Sequence, residues 1–166
     1  MRFTVAALLF VFCAAGCGEA PVEENYKTPN ANQVTMRLLG VRAPGPVLLQ
    51  VASVAVVVDG QAVSVALEPG AVDLGTADHA WPVATVEIPE GAQQVAMTLE
   101  FHPEGSLERA GVPEPLDLRG APISWMSPAT LLLERRKVVL EVDIERSLAE
   151  RDGQAAFFLP SFVVRY

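Results

Sequence analysis

From Val34 onward, the chain alternates apolar and polar side chains with a period of two, which is typical of half-buried β-strands. The clearest example is the segment 94–101. A helix would place Val95 and Leu99 on one side and Met97 on the opposite side, whereas a strand places all three on one face. This periodicity predicts a chain built from strands rather than from amphipathic helices.

Turn residues separate these segments at intervals of 8 to 15 residues. Asp59-Gly60 stands between the β-branched stretch 47–58 and the alternating stretch 61–67. It predicts a two-residue hairpin, because both residue types tolerate positive φ. The last segment, 156–165, contains Pro160, which indicates an edge strand or a bulge. Altogether the chain offers about eight or nine short strands.

The segments Ala129–Leu133 and Val138–Ile144 flank the charged stretch 134–137, and this arrangement predicts a hairpin with a polar tip. Asp143 is expected to cap a helix of one or two turns over 144–150. We therefore predict an all-β antiparallel β-sandwich, of the immunoglobulin-like kind, with one short helix near the C-terminus.

Charge and cysteine content exclude several classes of protein. The 166 residues carry a net charge of −8, and nucleic acid is not an expected partner because phosphate binding needs clustered cations. No apolar run reaches the roughly 18 residues of a membrane-spanning helix. Both cysteines lie within the first 17 residues, which excludes a disulfide scaffold and a cysteine zinc cluster.

The N-terminus has the layout of a secretory signal peptide. Arg2 is followed by the uncharged apolar stretch 5–15, and small residues then precede Cys17. We assign 1–16 to the signal, 17–33 to a flexible tether without apolar periodicity, and 34–166 to the β-sandwich domain.

Ala14-Ala15-Gly16-Cys17 resembles a bacterial lipobox, in which the signal is cut before a cysteine that becomes lipidated. The resemblance implies acyl chains on Cys17 and a bacterial envelope location. Gly18 stands where an inner-membrane retention signal would have Asp, which favours the outer membrane in a Gram-negative host. Ordinary secretion with a free Cys17 thiol is the alternative.

The order of elements is also similar to a family of secreted bacterial lipoproteins that are classed as a domain of unknown function. The elements that carry this resemblance are 51–58, Val72-Asp73-Leu74, 88–91 leading to 95–99, Leu140–Asp143 and Leu159-Pro160. The resemblance implies a β-sandwich, of the prealbumin-like kind, and carries no known activity.

Few residues suggest chemistry. His79, near Asp73 and Asp78, is a candidate metal ligand. Trp81 and Trp125 are candidate sugar-stacking platforms, with core packing as their alternative role. Glu141 and Asp143 share one face of a strand and are expected to be solvated, and the cluster 135–137 either is solvated or contacts anionic lipid headgroups.

The sequence thus predicts a lipid-anchored envelope protein whose domain binds or supports rather than catalyses. No catalytic residue, metal or cofactor is expected, and the expected partners are the membrane, through Cys17, and an envelope protein or glycan. A carbohydrate-binding module and a glycan-directed enzyme with paired carboxylates are the alternatives. The ligand and the oligomeric state are left open.

Overall fold

The computed structural model describes residues 30–120, 122–149 and 156–166. Cys17, the predicted signal peptide and most of the predicted tether lie outside the described residues. In chain order the elements are β1 (Gln33–Val41), β2 (Val47–Val58), β3 (Gln61–Val63), β4 (Val65–Leu67), β5 (Ala71–Asp73), β6 (Trp81–Glu87), β7 (Gln94–Phe101), β8 (Glu104–Arg109), β9 (Val112–Asp117), β10 (Ile123–Pro128), α1 (Ala129–Arg135), β11 (Lys137–Asp143), α2 (Ile144–Ser147), β12 (Leu148–Ala149), β13 (Ala156–Phe158) and β14 (Phe162–Arg165).

The strands form two sheets that pack against one core, so the predicted β-sandwich is confirmed. The first sheet has the order β14-β11-β1-β6-β4, and the second has the order β10-β7-β2-β8-β9-β13-β12, with β3 and β5 also pairing with β2. Most pairs are antiparallel, but β1–β11 and β9–β13 are parallel. None of the helices in the described ranges is long and apolar enough to cross a bilayer.

The alternating pattern of the sequence places the core between the sheets. On β7, Val95, Met97 and Leu99 are almost completely buried, whereas Gln94 and Glu100 are exposed. Removing each such aliphatic side chain from water stabilises the fold by about 1.5–3 kcal/mol. The strand predicted over 94–101 is therefore confirmed, and it buries the predicted face.

The long strand β2 organises the second sheet. Its C-terminal half pairs with β7 on one side and with β3 on the other, through the predicted Asp59-Gly60 hairpin. Asp59 and Gly60 both have positive φ, as a turn of this type requires. After Ser64 the chain leaves this sheet, and β4 pairs with β6 of the other sheet. The segment 61–67 thus joins the two layers.

The predicted hairpin around 134–137 is wrong. Residues Ala129–Arg135 form the helix α1, with Ala129 and Leu132 buried one turn apart. Good helix formers such as Ala, Leu, Glu and Arg dominate this segment, and only Thr130 is β-branched. β11 then pairs in parallel with β1, the distant first strand, instead of with its own neighbour.

The C-terminal predictions are partly confirmed. α2 is the predicted short helix, and the Asp143 carboxylate accepts a hydrogen bond from the backbone N–H of Arg146 as its cap. The predicted final strand, however, is divided. Leu159-Pro160-Ser161 separates β13 from β14, and the two strands join different sheets. Pro160 lacks a backbone N–H, so the segment around it cannot continue a ladder.

A close approach of the two layers occurs at Gly40, which is buried in β1. A Cβ atom at this position would lie 1.9 Å from the carbonyl oxygen of Leu74 and 2.7 Å from its carbonyl carbon. These are backbone atoms that cannot rotate away, so only glycine allows this contact.

We expect Gly40→Ala to lower the free energy of unfolding by about 3 kcal/mol, because the backbone of β1 or of Leu74 must move. Gly111→Ala is the control. Its Cβ would meet nothing within 4 Å, so it carries only the cost of a positive φ, about 1 kcal/mol. Urea denaturation of both variants measures the difference. Equal destabilisation of the two variants would contradict the close approach.

Candidate functional site

Hydrogen bonds to the Asp73 side chain hold together the loop that contains His79, the predicted metal ligand. Asp73, at the end of β5, accepts hydrogen bonds from the backbone N–H groups of Val47 (2.9 Å) and Gly75 (2.8 Å). His79 is exposed, and its ring makes an edge contact with the indole of Trp81 at 4.3 Å between centroids. Within 30–120, 122–149 and 156–166, no three His, Cys, Asp or Glu side chains are grouped in a way that could hold a metal.

Both tryptophans pack against the core. Trp81 is half-buried, and its indole N–H donates to the carbonyl oxygen of Asp73 at 2.9 Å. Trp125, on β10, is also half-buried, and its buried indole N–H finds no acceptor among the described residues. These environments fit packing roles better than they fit flat, open platforms for a sugar ring.

Glu141 and Asp143 were expected to lie on a solvated strand face, but the structure partly buries Glu141 and buries Asp143. Asp143 is only 7% exposed, because it lies at the end of β11 where α2 begins. Its carboxylate forms ion pairs with the guanidinium groups of Arg42 and Arg146, the second at 3.4 Å. Both arginines are themselves largely exposed, so the charge of Asp143 is neutralised from the solvent side.

Glu141 has a similar partner on the neighbouring strand. Arg165 of β14 donates to both carboxylate oxygens of Glu141, one of these bonds being 3.0 Å long. This bidentate contact lowers the pKa of Glu141. A general acid needs a raised pKa, so Glu141 is poorly suited to protonate a leaving group.

A groove of about 530 Å³ lies at the open end of the β8–β9 hairpin. Pro103 interrupts the run from β7 to β8, and Leu118 leaves β9 opposite it, donating its N–H to the Pro103 carbonyl at 2.9 Å. This bond extends the β8–β9 pairing by one step beyond Glu104 and Asp117. A second cavity of about 270 Å³ continues on the other side of Pro103 and Arg119. The lining of the larger groove combines Pro103, Glu104, Gly105, Pro115, Leu116, Asp117 and Arg119.

Charges line the wall of this groove in a fixed arrangement. Glu104 and Asp117 are cross-strand partners, which places two carboxylates side by side. Arg119 offsets their repulsion, since its guanidinium donates to both oxygens of Asp117 at 2.6–3.1 Å. Hydrogen bonds from the Arg119 side chain and backbone lower the pKa of Asp117 to about 2.

Sequence analysis did not identify this groove. The local signal was present, because Asp-x-Arg followed by Gly at 117–120 is typical of a turn closed by its own side chains. His102-Pro103-Glu104-Gly105 has the composition of a turn, however, and this composition conceals the start of the strand β8 at Glu104. Without that strand, Glu104 and Asp117 had no reason to meet.

The cluster 135–137 is located at the end of α1 and the start of β11, not at a hairpin tip. All three side chains are exposed. The backbone N–H of Thr35 donates to the carbonyl oxygen of Arg136 at 3.1 Å, so the cluster is adjacent to the first residues of β1.

Comparison with models of known protein families, with curated proteins and with solved structures finds no match to this chain. The two resemblances noted in the sequence therefore stay predictions.

We expect Asp143→Ala to lower the free energy of unfolding by about 2 kcal/mol, because it removes a helix cap and a charged hydrogen-bond acceptor. Asp143→Asn keeps a capping oxygen but loses the negative charge, and should cost about half as much. Thermal unfolding followed by circular dichroism compares the two. If Asp143→Asn lowers the free energy of unfolding as much as Asp143→Ala does, the ion pairs contribute more to stability than the helix cap does. That result would contradict the expectation.

The carboxyl of Asp117 should titrate near pH 2 in the native protein. Because its folded pKa is depressed, the stabilisation it provides is present above the ordinary value of 3.8 and is lost as the pH falls toward 2. Arg119→Gln should return the midpoint toward 3.8, whereas Arg37→Gln should leave it unchanged. Carboxyl carbon NMR measures each midpoint, and an unshifted midpoint in Arg119→Gln would refute the assigned cause.

Proposed function

We propose that this chain is a lipid-anchored protein of the bacterial envelope and that its β-sandwich acts by binding rather than by catalysis. The observation that carries the proposal is the sequence of segments: an apolar signal, small residues before Cys17, and a short polar stretch that leads into the sandwich. In a Gram-negative host, Gly18 after the cysteine supports the outer membrane as the location.

The fold supports this proposal through the position at which the chain enters the domain. The backbone N–H of Gln33 donates to the carbonyl oxygen of Asn30 at 2.9 Å, and β1 continues directly into the middle of its sheet. Thirteen peptide steps join Cys17 to Asn30, which limits their separation to about 45 Å. A lipid on Cys17 would therefore hold the sandwich close to the bilayer.

The non-catalytic part of the proposal rests on the state of the carboxylates. Asp59, Asp117 and Glu141 all have lowered pKa values, and in each the first cause is a hydrogen bond from a backbone N–H or an arginine. A carboxylate-based hydrolase needs the opposite environment for its acid, one that raises the pKa. These three groups are better suited to holding turns and strands together.

The groove at Pro103 is the surface we propose for binding an envelope protein or glycan. It lies beside the first part of β2, and the chain enters at the other end of the sandwich, next to the last part of β6. Its fixed Asp117–Arg119 pair offers hydrogen-bond donors and acceptors without further ordering of side chains. The packed indoles of Trp81 and Trp125 support this surface over a tryptophan-based sugar platform.

Lipidation has a direct test. The wild-type chain expressed in a bacterium should carry a diacylglyceryl group on a new N-terminal Cys17, and should partition into the detergent phase of a Triton X-114 extract. Cys17→Ser should remain in the aqueous phase, and Cys13→Ser should behave as the wild type. Intact-mass spectrometry of the wild type without added lipid mass would refute the anchor.

A further inference from the structure

One end of the sandwich carries a cluster of three exposed cations. We define the basic corner as Arg135, Arg136 and Lys137, which are exposed where α1 passes into β11. Glu134 is the adjacent acid, 3.9 Å from Arg135, and it leaves the corner with an excess of two positive charges. It is the only run of three adjacent cations in the sequence, whose net charge is −8.

The basic corner coincides with the end at which the chain enters the domain. Thr35, five residues after Asn30, pairs with Lys137 in the β1–β11 ladder. Its N–H also donates to the carbonyl oxygen of Arg136 at 3.1 Å. Arg136 has positive φ and closes α1 by donating its N–H to the carbonyl oxygen of Leu132 at 2.7 Å. The backbone of the corner is thus fixed beside the entry of the chain.

Many of the carboxylates occupy the other half of the domain. β1 and β11 run in parallel away from the corner, and Val41 and Asp143 mark their far ends. The far half also holds the β5–β6 loop and the β8–β9 hairpin. The acidic residues of that half include Asp73, Asp78, Glu104, Glu108, Glu114 and Glu145, and Arg42, Arg109, Arg119 and Arg146 lie there as well. Asp59, Glu87 and Glu90 lie at the near end: Glu87 is the cross-strand partner of Gln33, and the other two lie on the turns that follow β2 and β6.

We propose that the basic corner docks on the anionic lipid headgroups of the membrane that holds the anchor, and so orients the sandwich with the Pro103 groove away from the bilayer. This inference rests on the proposed lipid anchor. An anchor on Cys17 brings the corner near the surface but does not by itself choose an orientation. Attraction of the corner to anionic headgroups selects one.

The mature chain is convenient for a test, because an acylated Cys17 leaves it without a free thiol. Thr130→Cys on α1 places a fluorophore near the corner, and Val112→Cys places one on the far β8–β9 hairpin, both at exposed uncharged positions. The lipidated proteins are reconstituted in vesicles of phosphatidylcholine alone or mixed with an equal amount of phosphatidylglycerol. Headgroup spin-labelled lipid then quenches the fluorophores that lie close to the surface.

We expect phosphatidylglycerol to increase quenching at position 130 at least twofold and to leave position 112 unchanged. Each cation near an anionic leaflet favours the docked state about fivefold, so Arg135→Gln/Arg136→Gln/Lys137→Gln should abolish the increase. The control Arg37→Gln/Arg109→Gln/Arg146→Gln changes the net charge equally and should keep it. Salt at 0.5 M should also remove it, since screening shortens the reach of the charges.

Three results would overturn the inference. Equal quenching at positions 130 and 112 in both kinds of vesicle would show no preferred orientation. An unchanged increase in the basic-corner variant would show that other residues orient the domain. Failure of the wild type to enter either vesicle would instead refute the lipid anchor itself, and the orientation with it.

Discussion

The parallel pairing of β1 with β11 is the constraint on which the other features of the molecule depend. Its register aligns Thr35 with Lys137 at one end and Val41 with Asp143 at the other. The first alignment brings the basic corner to the entry of the chain. The second brings Arg42, just after β1, within reach of the Asp143 carboxylate. Because side chains alternate along a strand, a shift of one residue would also turn Val138 and Leu140 out of the core.

Features that depend on neighbouring residues could be predicted from the sequence. The buried face of β7, the Asp59-Gly60 hairpin and the Asp143 cap each follow from a pattern shorter than ten residues. The layered all-β architecture follows from many such patterns together. Pairings between distant segments could not be predicted, since nothing local in Lys137–Asp143 indicates β1 as its partner.

The surface features were hidden for the same reason. Glu141 and Asp143 look solvated on an alternating strand, and only the tertiary structure brings Arg42 and Arg165 to them. The Pro103 groove lies where β8 and β9 place Glu104 next to Asp117, so both strands had to be recognised before the groove could be found. The helix α1 was missed because Ala129–Leu133 is apolar and too short to distinguish a buried helix from a strand.

The position of β1 in the middle of its sheet has a consequence for folding. Synthesis delivers β1 first, then β6, and β11 only after a further fifty residues. Until then one edge of β1 has no partner. The intervening chain must lose conformational entropy before the β1–β11 pairing can stabilise the fold. We expect a chain with this topology to fold slowly, as a unit, and only after β11 has been synthesised. A nascent chain that lacks its last third would present the open edge of β1, where strand-to-strand aggregation begins.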